Sequence, residues 1–313
     1  MKIGIVSNSL SLYRPLLLNL LNAKNRAEVI LYIGKSNDPE QNNAEAIKFC
    51  NAAGVTLTIE NTKQDLYNWH QLYQPDVVFF AGYGNIIQTG QFVDSKCNIY
   101  NIHFGKLPEF RGPSPVFWQL KKGEKDIGLS IHRMTDKLDG GPVVWEYKIP
   151  NQPHFTYDFV NQLFAELQVK GVIEILDQLS KKFPFVEVQQ DEKKAVYYAR
   201  PQLKDILVNW NEMSAEEIID LIKACNSWNV GAAALINGLE IKILDATLIA
   251  SVKSSYLPGT AVVNENSDFS VVCKGGKLLS IKYFKINNCF VPQRFAGAYG
   301  FKTGQCFLNM PTA

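Results

Sequence analysis

Short apolar runs alternate with amphipathic stretches along the first part of the chain. Leucines recur at helical spacing over residues 12–21, and a second helix is predicted over residues 44–53. The run Val77–Phe80 is apolar without a break, which is typical of a strand covered on both faces of a sheet. This alternation predicts an α/β fold with a doubly wound, mostly parallel sheet. The predicted strands are residues 2–7, 28–34, 56–60, 76–81, 97–103, 127–134 and 143–149.

The pattern changes in the second part of the chain. A long amphipathic helix is predicted to close a first domain, 1–180, and residues 181–203 mix proline, glutamine and charge in the manner of a linker. Ser214 and Glu217 have the spacing of a helix capping box. Short strand-like runs separated by Gly and Asn follow. Residues 204–313 are therefore predicted to form a small open β-barrel similar to an OB fold.

Composition excludes several classes of protein. The 313 residues are 46% hydrophobic, and their net charge of +2 indicates no obligatory polyanionic partner. No apolar run reaches the roughly 18 residues that span a bilayer, and the chain begins with a strand pattern that does not resemble a signal peptide. The six cysteines form no Cys-x-x-Cys pair, which favours free thiols over a disulfide or zinc framework. We therefore expect a cytoplasmic protein without a membrane partner.

Three polar residues with complementary chemistry lie near the ends of predicted strands. Asn101 and His103 are two residues apart at the end of an apolar run, so both side chains point to one face of the sheet. Asp139 lies in a glycine-rich turn after the next strand, where its carboxylate can orient the imidazole. An amide, an imidazole and a carboxylate together can move an acyl group to an amine without a metal ion. His132, on that neighbouring strand, is expected to support the pocket from behind.

Three motifs resemble, in their order, the catalytic core of the 10-formyltetrahydrofolate-dependent formyltransferases: Asn101-Ile102-His103, Leu107-Pro108 and Leu138-Asp139-Gly140-Gly141-Pro142. This family includes enzymes that act on glycinamide ribonucleotide, on methionyl-tRNA and on amino sugars. Two further segments, Asn209-Trp210 and Ala224–Trp228, are similar to the second domain of the methionyl-tRNA and aminoarabinose-pathway enzymes. Because the glycinamide enzyme lacks this second domain, the sequence disfavours that activity.

The resemblance implies that 10-formyltetrahydrofolate is the co-substrate and that no metal is required. It places Asn101, His103 and Asp139 in the family's catalytic positions. Arg111 either anchors an anionic acceptor or is a solvated loop arginine. Lys106 departs from the family's usual Ser-Leu-Leu-Pro, and it is a candidate contact for the folate glutamate tail or for the acceptor. The residues implied to bind the folate are Gly84, Asn85, Ile86, Ile87, Gly105, Lys106, Leu107, Pro108, Thr135, Leu138 and Gly140.

The expected reaction is attack of a primary amine on the formyl carbon. Asn101 and a protonated His103 are expected to stabilise the developing oxyanion, an effect of roughly 3 kcal/mol per donor in comparable sites. Asp139 is expected to keep the imidazole charged and to relay the proton that the amine loses. A hydrolase that releases formate from the same folate would use these three residues with water as the acceptor.

Charge indicates the kind of acceptor. Methionyl-tRNA formyltransferases carry a basic, glycine-rich insertion after the second strand, whereas residues 34–40 are short and nearly neutral here. Residues 204–313 hold ten Lys or Arg against nine Asp or Glu, and RNA affinity depends on cations. We therefore predict a small-molecule amine, such as an amino-sugar nucleotide, and disfavour tRNA, which is the alternative. The hydrolase is a second alternative, and no oligomeric state is predicted.

Overall fold

The computed structural model describes residues 1–22, 27–35, 39–92, 96–181, 186–226, 229–264 and 268–309. The chain divides into two compact units. The first comprises Met1–Pro115, Ile127–Ile149 and Asn161–Tyr198, and the second comprises Val116–Asp126, Pro150–Val160 and Ala199–Ala313. The helices are α1 (Leu10–Asn22), α2 (Pro39–Ala53), α3 (Asp65–Tyr73), α4 (Pro115–Lys121), α5 (Tyr157–Lys181), α6 (Leu203–Ile206) and α7 (Ala215–Cys225).

The first sheet is mostly parallel, and its strand order reverses once. Its strands pair in the order β3-β2-β1-β4-β5-β6-β7. Strands β1 to β5 run parallel, and β6 runs antiparallel to β5. The reversal lies between β1 and β4, and sheets of this kind bind ligands beyond the carboxyl ends of the strands near such a point. The strands are β1 (Lys2–Ser7), β2 (Glu28–Ile33), β3 (Thr56–Ile59), β4 (Val77–Ala81), β5 (Asn98–His103), β6 (Asp126–Arg133) and β7 (Val143–Pro150).

Apolar side chains cover both faces of this sheet. Strand β4 is buried along its whole length, and its neighbouring residues Phe79 and Phe80 lie in two different core clusters. The cluster around Phe79 includes Leu17 of α1, and the cluster around Phe80 includes Trp69 of α3. Because successive residues of a strand point to opposite faces, helices pack on both sides. The predicted doubly wound α/β fold is confirmed.

The second sheet is antiparallel and almost closes on itself. Its strands pair in the order β10-β11-β12-β9-β8-β14, and β13 pairs with β12. The two ends of this order meet where Thr260 forms a bridge with Cys306 and where the Phe307 amide donates to the Gly259 carbonyl at 2.9 Å. The predicted barrel-like second domain is confirmed. The strands are β8 (Ala232–Ile236), β9 (Leu239–Lys253), β10 (Ala261–Val263), β11 (Phe269–Val272), β12 (Lys277–Ile286), β13 (Cys289–Pro292) and β14 (Phe307–Leu308).

Helix α7 begins with the capping box that the sequence predicts. The Glu217 amide donates to Ser214 Oγ at 3.2 Å, and the Ser214 amide donates to Glu217 Oε2 at 2.7 Å. Two amides at the start of the helix, which have no partner within it, are thus satisfied.

Trp210 anchors the segment that precedes α7. It is fully buried and packs on Phe307, with the two ring centroids 5.1 Å apart.

Residues 186–198, which we call the strap, belong to the first unit. These residues fall within the segment predicted to be a linker, residues 181–203, of which residues 182–185 lie outside the described part of the chain. The strap is held because its backbone groups find partners that are distant in sequence. Two isolated bridges fix its two ends, Val188–Val143 antiparallel and Tyr197–Arg111 parallel.

Two features of the chain bear on its environment. Among the residues that the structure describes, no helix is long and apolar enough to cross a membrane. All six cysteines are unpaired, as predicted. Cys50, Cys225 and Cys273 are buried, so these three thiols act as small apolar side chains in their cores.

We predict that α1 stabilises the protein mainly through the burial of its apolar side chains in the core. The Leu17→Ala variant should lower the free energy of unfolding by about 2–5 kcal/mol, because it leaves a cavity beneath a fully buried side chain. Leu72→Ala is the matched control, since Leu72 is 73% exposed, and it should change stability by no more than about 0.5 kcal/mol. Urea denaturation measures both. Equal losses in the two variants would contradict the packing described here.

Candidate active site

Two neighbouring strands bring an amide and two imidazoles to one face. Asn101 and His103 lie on β5, two residues apart, and point to the same side of the sheet. In the antiparallel register with β6, His132 lies opposite Asn101, and Ser130 lies opposite His103. His132 Nε2 is 3.1 Å from Asn101 Nδ2. The i, i+2 spacing in the sequence thus becomes a polar patch at the carboxyl end of β5.

Asp139 reaches this patch from the turn that follows β6. Its backbone has φ of +50°, in the left-handed region that Asp tolerates better than most residues. The side chain is buried, and Oδ1 accepts a hydrogen bond of 3.2 Å from Asn101 Nδ2. Oδ2 accepts one of 2.9 Å from the Gly112 amide. The turn therefore places a buried carboxylate against the amide of β5.

Both imidazoles also face the Asp139 carboxylate. His103 Nδ1 is 3.7 Å from Oδ2, and His132 Nε2 is 3.5 Å from Oδ1. Burial by itself raises the pKa of Asp139 and is the largest influence on it. Opposing influences outweigh burial: the positive charges that His103 and His132 carry once they are protonated at acid pH, and the Gly112 amide, hold the pKa of Asp139 well below its usual range. Asp139 is therefore an anion at neutral pH.

The protonation of His103 differs from the expectation. Nε2 lies 2.6 Å from the Phe110 carbonyl oxygen, which can only accept, so Nε2 carries a hydrogen. Burial lowers the pKa of His103, and Asp139 and the Phe110 carbonyl compensate only in part. The ring is thus neutral near pH 7, with a lone pair on Nδ1, whereas the sequence predicted a protonated ring. The physical reason is the completeness of its burial, which is a property of the fold.

The hydrogen bonds of His132 fix its tautomer and the orientation of Asn101. Nδ1 donates to the Arg133 carbonyl at 3.0 Å, which leaves Nε2 to accept from Asn101 Nδ2. Since the second amide hydrogen of Asn101 goes to Asp139, both hydrogens are engaged. To stabilise an oxyanion, Asn101 would have to exchange one of these bonds.

The loop after β5 is built closely around His103. A Cβ at Gly105 would lie 2.7 Å from His103 Nε2 and 2.9 Å from the Phe110 carbonyl oxygen, so only glycine leaves room for their hydrogen bond. The Gly105 carbonyl in turn accepts from Ser130 Oγ at 2.9 Å. Leu107 and Pro108 are buried. Lys106 Nζ lies 5.4 Å from the centre of the Phe110 ring, in a cation–π contact.

Two other segments that the resemblance assigns to the folate lie side by side. The amide and the hydroxyl of Thr89 donate to Asp136 Oδ1 at 3.1 and 2.6 Å, which joins the loop after β4 to the loop after β6. Each loop presents an exposed apolar side chain, Ile86 at 82% and Leu138 at 45% exposure. Exposed apolar side chains beside backbone donors and acceptors fit a flat heteroaromatic ring such as a pterin.

The remaining predicted folate residues occupy the same two loops. Gly84 and Thr135 are exposed, and Ile87 is buried beneath the first loop. Asn85 Nδ2 donates to the Tyr83 hydroxyl at 3.2 Å. The Gly140 amide donates to the Lys137 carbonyl at 3.0 Å, which closes the turn that holds Asp139.

Arg111 has neither of the two roles that the sequence left open. Its side chain is buried, and NH1 and NH2 donate to the two carboxylate oxygens of Glu192 at 3.2 and 2.9 Å. Nε and NH2 donate to Gln190 Oε1 at 3.1 and 2.8 Å. Both partners lie on the strap, so Arg111 is an internal tie, and it is neither solvated nor directed at an acceptor.

Sequence reasoning missed Gln190 and Glu192. Both lie in the segment assigned as a linker, and no motif marks them. Gln190 Nε2 donates to the carbonyls of Asp139 and Gly141 at 2.8 and 2.6 Å. Their importance depends on the return of the strap to the site, which local sequence does not encode. In the part of the chain that is described, no group of three or more His, Cys, Asp or Glu side chains could hold a metal ion.

Comparison with known proteins identifies the family. The formyl transferase family model matches residues 1–176, and the model of the formyl transferase C-terminal domain matches residues 202–289. The chain belongs to the formyl transferase family. It is a folate-dependent formyltransferase, and 10-formyltetrahydrofolate, the predicted co-substrate, is confirmed for this family.

Relatives and solved structures agree with this assignment. The methionyl-tRNA formyltransferase of Thermotoga neapolitana is 34% identical over 226 residues, which cover 72% of this chain and 70% of that protein. HypX from Aquifex aeolicus, solved with tetrahydrofolic acid, has a TM-score of 0.65 at 19% identity; the match covers 96% of this chain and 47% of HypX. The sugar 3N-formyl transferase WlaRD has a TM-score of 0.69 at 16% identity, with 92% and 98% coverage. At these identities the two structures show the fold alone.

The acceptor prediction is wrong. Curated relatives that are 27–34% identical are methionyl-tRNA formyltransferases, from organisms that include Nitrosococcus oceani and Fervidobacterium nodosum. The sugar N-formyltransferases among the solved structures are 16–19% identical, which shows the fold alone. A small-molecule amine is therefore disfavoured as the acceptor. The expectation that tRNA is not a partner is wrong as well.

We predict a pH dependence of stability from the buried histidines. Burial lowers the pKa of His70 and of His103, whereas an unfolded histidine titrates near about 6.5. The unfolded chain therefore binds more protons below that value, and the free energy of unfolding should fall as the pH decreases from about 7.5 to about 5.5. Urea denaturation at a series of pH values measures this slope.

Single variants separate the contributions to that slope. His103→Gln and His70→Gln should each make the slope shallower, because each removes one buried group that resists protonation. His154→Gln is the control, since its side chain is exposed. A slope that His103→Gln leaves unchanged would show that folding does not shift the pKa of this ring, and a steeper slope would show that folding raises it.

Proposed function

We propose that the protein transfers a formyl group from 10-formyltetrahydrofolate to the amino group of methionine carried on tRNA. The observation that supports this most strongly is the 34% identity with a methionyl-tRNA formyltransferase across 72% of the chain. The sugar N-formyl transferases among the structural neighbours share the fold at a much lower identity. We also propose that the reaction occurs in the cytoplasm, where six unpaired thiols would stay reduced.

The distribution of charge supports an RNA partner. All nine acidic residues of the second domain precede residue 269, and residues 269–313 contain six Lys or Arg and no Asp or Glu. The near-neutral total that disfavoured tRNA was therefore an average over two regions of opposite sign. Affinity for RNA depends on local neutralisation of phosphates, so the cations of residues 269–313 matter more than the total, apart from Lys277, which is paired with Glu216. In methionyl-tRNA formyltransferases the basic insertion follows the second strand. The corresponding loop of this chain includes residues 36–38, which lie outside its described part.

The hairpin of β12 and β13 combines cations with exposed aromatic rings. Lys285 lies opposite Phe290 in the strand register, and its Nζ is 5.6 Å from the ring centre. Phe290 is 60% exposed and Tyr283 is 46% exposed. Close by in sequence, the Arg294 guanidinium lies 4.7 Å from the Phe295 ring. Cations beside stacking rings are typical of surfaces that contact unpaired nucleotides.

The site supplies a base for the amine. 10-Formyltetrahydrofolate supplies the formyl group, and a new bond forms between the amine nitrogen and the formyl carbon as the bond to the folate nitrogen breaks. His103 accepts at Nδ1 the proton that the amine loses, and it returns that proton to the leaving nitrogen. Asp139, 3.7 Å away, stabilises the imidazolium in the interval. A neutral His103 beside an anionic Asp139 is the protonation state that this role needs.

Substitution tests the assignment of these two residues. His103→Ala and Asp139→Asn should each lower kcat by at least about 100-fold, the range expected for loss of a general base or of its charged partner. Formylation is followed with saturating folate, and thermal unfolding shows whether the fold survives. His154→Ala is the exposed control. Turnover near that of the unmodified protein in either site variant would remove that residue from the mechanism.

A direct comparison of acceptors tests the substrate. Methionyl-tRNA should be formylated with a kcat/KM far above that of 3-amino and 4-amino sugar nucleotides at equal folate. The value for tRNA should fall steeply with added salt, because phosphate contacts release counterions. Lys285→Ala should lower kcat/KM for tRNA and make its salt dependence shallower, whereas the exposed Lys148→Ala should not. Efficient use of a sugar nucleotide with no use of tRNA would overturn the proposal.

A further inference from the structure

Gln190 holds the backbone of the turn that carries Asp139. Its Nε2 donates one hydrogen to the Asp139 carbonyl at 2.8 Å and the other to the Gly141 carbonyl at 2.6 Å. A primary amide has two such hydrogens, so its donor capacity is fully used on this turn. The two carbonyls lie on either side of Gly140. A single side chain from the strap therefore fixes both halves of the turn.

Gln190 is itself held by Arg111. Its Oε1 accepts from Nε and NH2 of Arg111, and the same guanidinium makes a two-pronged ion pair with Glu192. The Arg111 backbone is also tied to the strap, since its amide donates to Val196 at 3.0 Å and its carbonyl accepts from Tyr198 at 2.8 Å. The planar guanidinium permits little rotation of its partners. The amide of Gln190 is thus oriented before it meets the turn.

The residue after Arg111 holds the other end of Asp139. The Gly112 amide donates to Asp139 Oδ2 at 2.9 Å. Gly112 has φ of +113°, and a Cβ there would lie 2.0 Å from the Tyr198 carbonyl oxygen, so no other residue fits between this loop and the strap. Arg111-Gly112 therefore positions the Asp139 carboxylate directly and the Asp139 backbone through Gln190.

Asp139 needs such support because its conformation is unfavourable by itself. Its left-handed backbone and the burial of its charge each raise the free energy of this arrangement. The contact of 3.7 Å with His103 Nδ1 depends on the direction in which the turn projects the side chain. Displacement of a reacting group by about 1 Å can reduce a rate by about 100-fold.

We propose that Gln190 is a positioning residue for formyl transfer and that it acts through Asp139. Its amide bonds to Arg111 and to the turn, and it thereby sets the angle at which the turn delivers the carboxylate to His103. The inference rests on the proposed function in one respect, which is the part that Asp139 takes in the reaction. It does not depend on the identity of the acceptor.

A matched pair of variants tests the role in catalysis. Gln190→Leu should lower kcat by about 10- to 100-fold, the range for residues that orient a catalytic group from behind, with little change in KM for the folate. Gln189→Leu is the control, because Gln189 is the same residue type, adjacent on the strap and exposed. Gln190→Glu keeps an acceptor for Arg111 and removes both donors to the turn, so it should lose as much activity as Gln190→Leu while the strap stays anchored.

A second measurement needs no substrate. Titration of the His103 ring by NMR reports its distance from the Asp139 carboxylate, which raises the pKa of that ring. Gln190→Leu should shift the His103 titration to lower pH, in the direction of Asp139→Asn, and Gln189→Leu should not. A variant that merely loosened the fold would lower the melting temperature without moving this titration.

The double variant separates the two possible failures. Gln190→Leu should reduce kcat no further in an Asp139→Asn background, since both changes act on one carboxylate. If Asp139→Asn keeps its turnover, the proposed mechanism fails. If Asp139→Asn loses turnover but Gln190→Leu keeps both its turnover and its His103 titration, the positioning role of Gln190 is refuted.

Discussion

One buried negative charge organises the candidate site. A carboxylate withdrawn from water must be paired or hydrogen-bonded, and the Asp139 side chain accepts hydrogen bonds from Asn101 and Gly112, with two imidazoles that can take up a proton beside it. The amide of Asn101 and the two imidazoles come from β5 and β6, and the Gly112 amide comes from the loop between those strands. Removal of either donor would leave the charge less well compensated. Strands β5 and β6 and the loop between them hold these groups together around the carboxylate.

The same constraint explains features that are distant from Asp139. His132 has a single tautomer because its Nδ1 donates to a backbone carbonyl, and this tautomer orients the amide of Asn101. The strap lies along the first unit, where Arg111 and Glu192 form an internal ion pair and Gln190 holds the turn. A neutral His103 beside an ionised Asp139 is the result. This protonation state is the one that the proposed role of His103 as a base requires.

The acceptor illustrates how an average can mislead. The total charge of the second domain is close to zero, yet its cations are concentrated after residue 269 and its acids before it. Electrostatic attraction to a phosphate chain decays over about 10 Å at moderate ionic strength, so the local excess decides whether RNA binds. The exposed rings of Tyr283 and Phe290 lie in this cationic region. The charge pattern is thus compatible with the acceptor that we propose from the comparison with relatives.

The sequence by itself determined the two-domain order, the doubly wound sheet, the barrel-like second domain and the position of Asn101, His103 and Asp139. Periodicity and short motifs carry this information because they express contacts between near neighbours in the chain. Only the tertiary structure decided the protonation of His103, the internal role of Arg111 and the part of Gln190. Each of these depends on how completely a side chain is buried or on which distant segment returns to cover it. Burial and long-range pairing arise when the whole chain folds, so no local pattern records them.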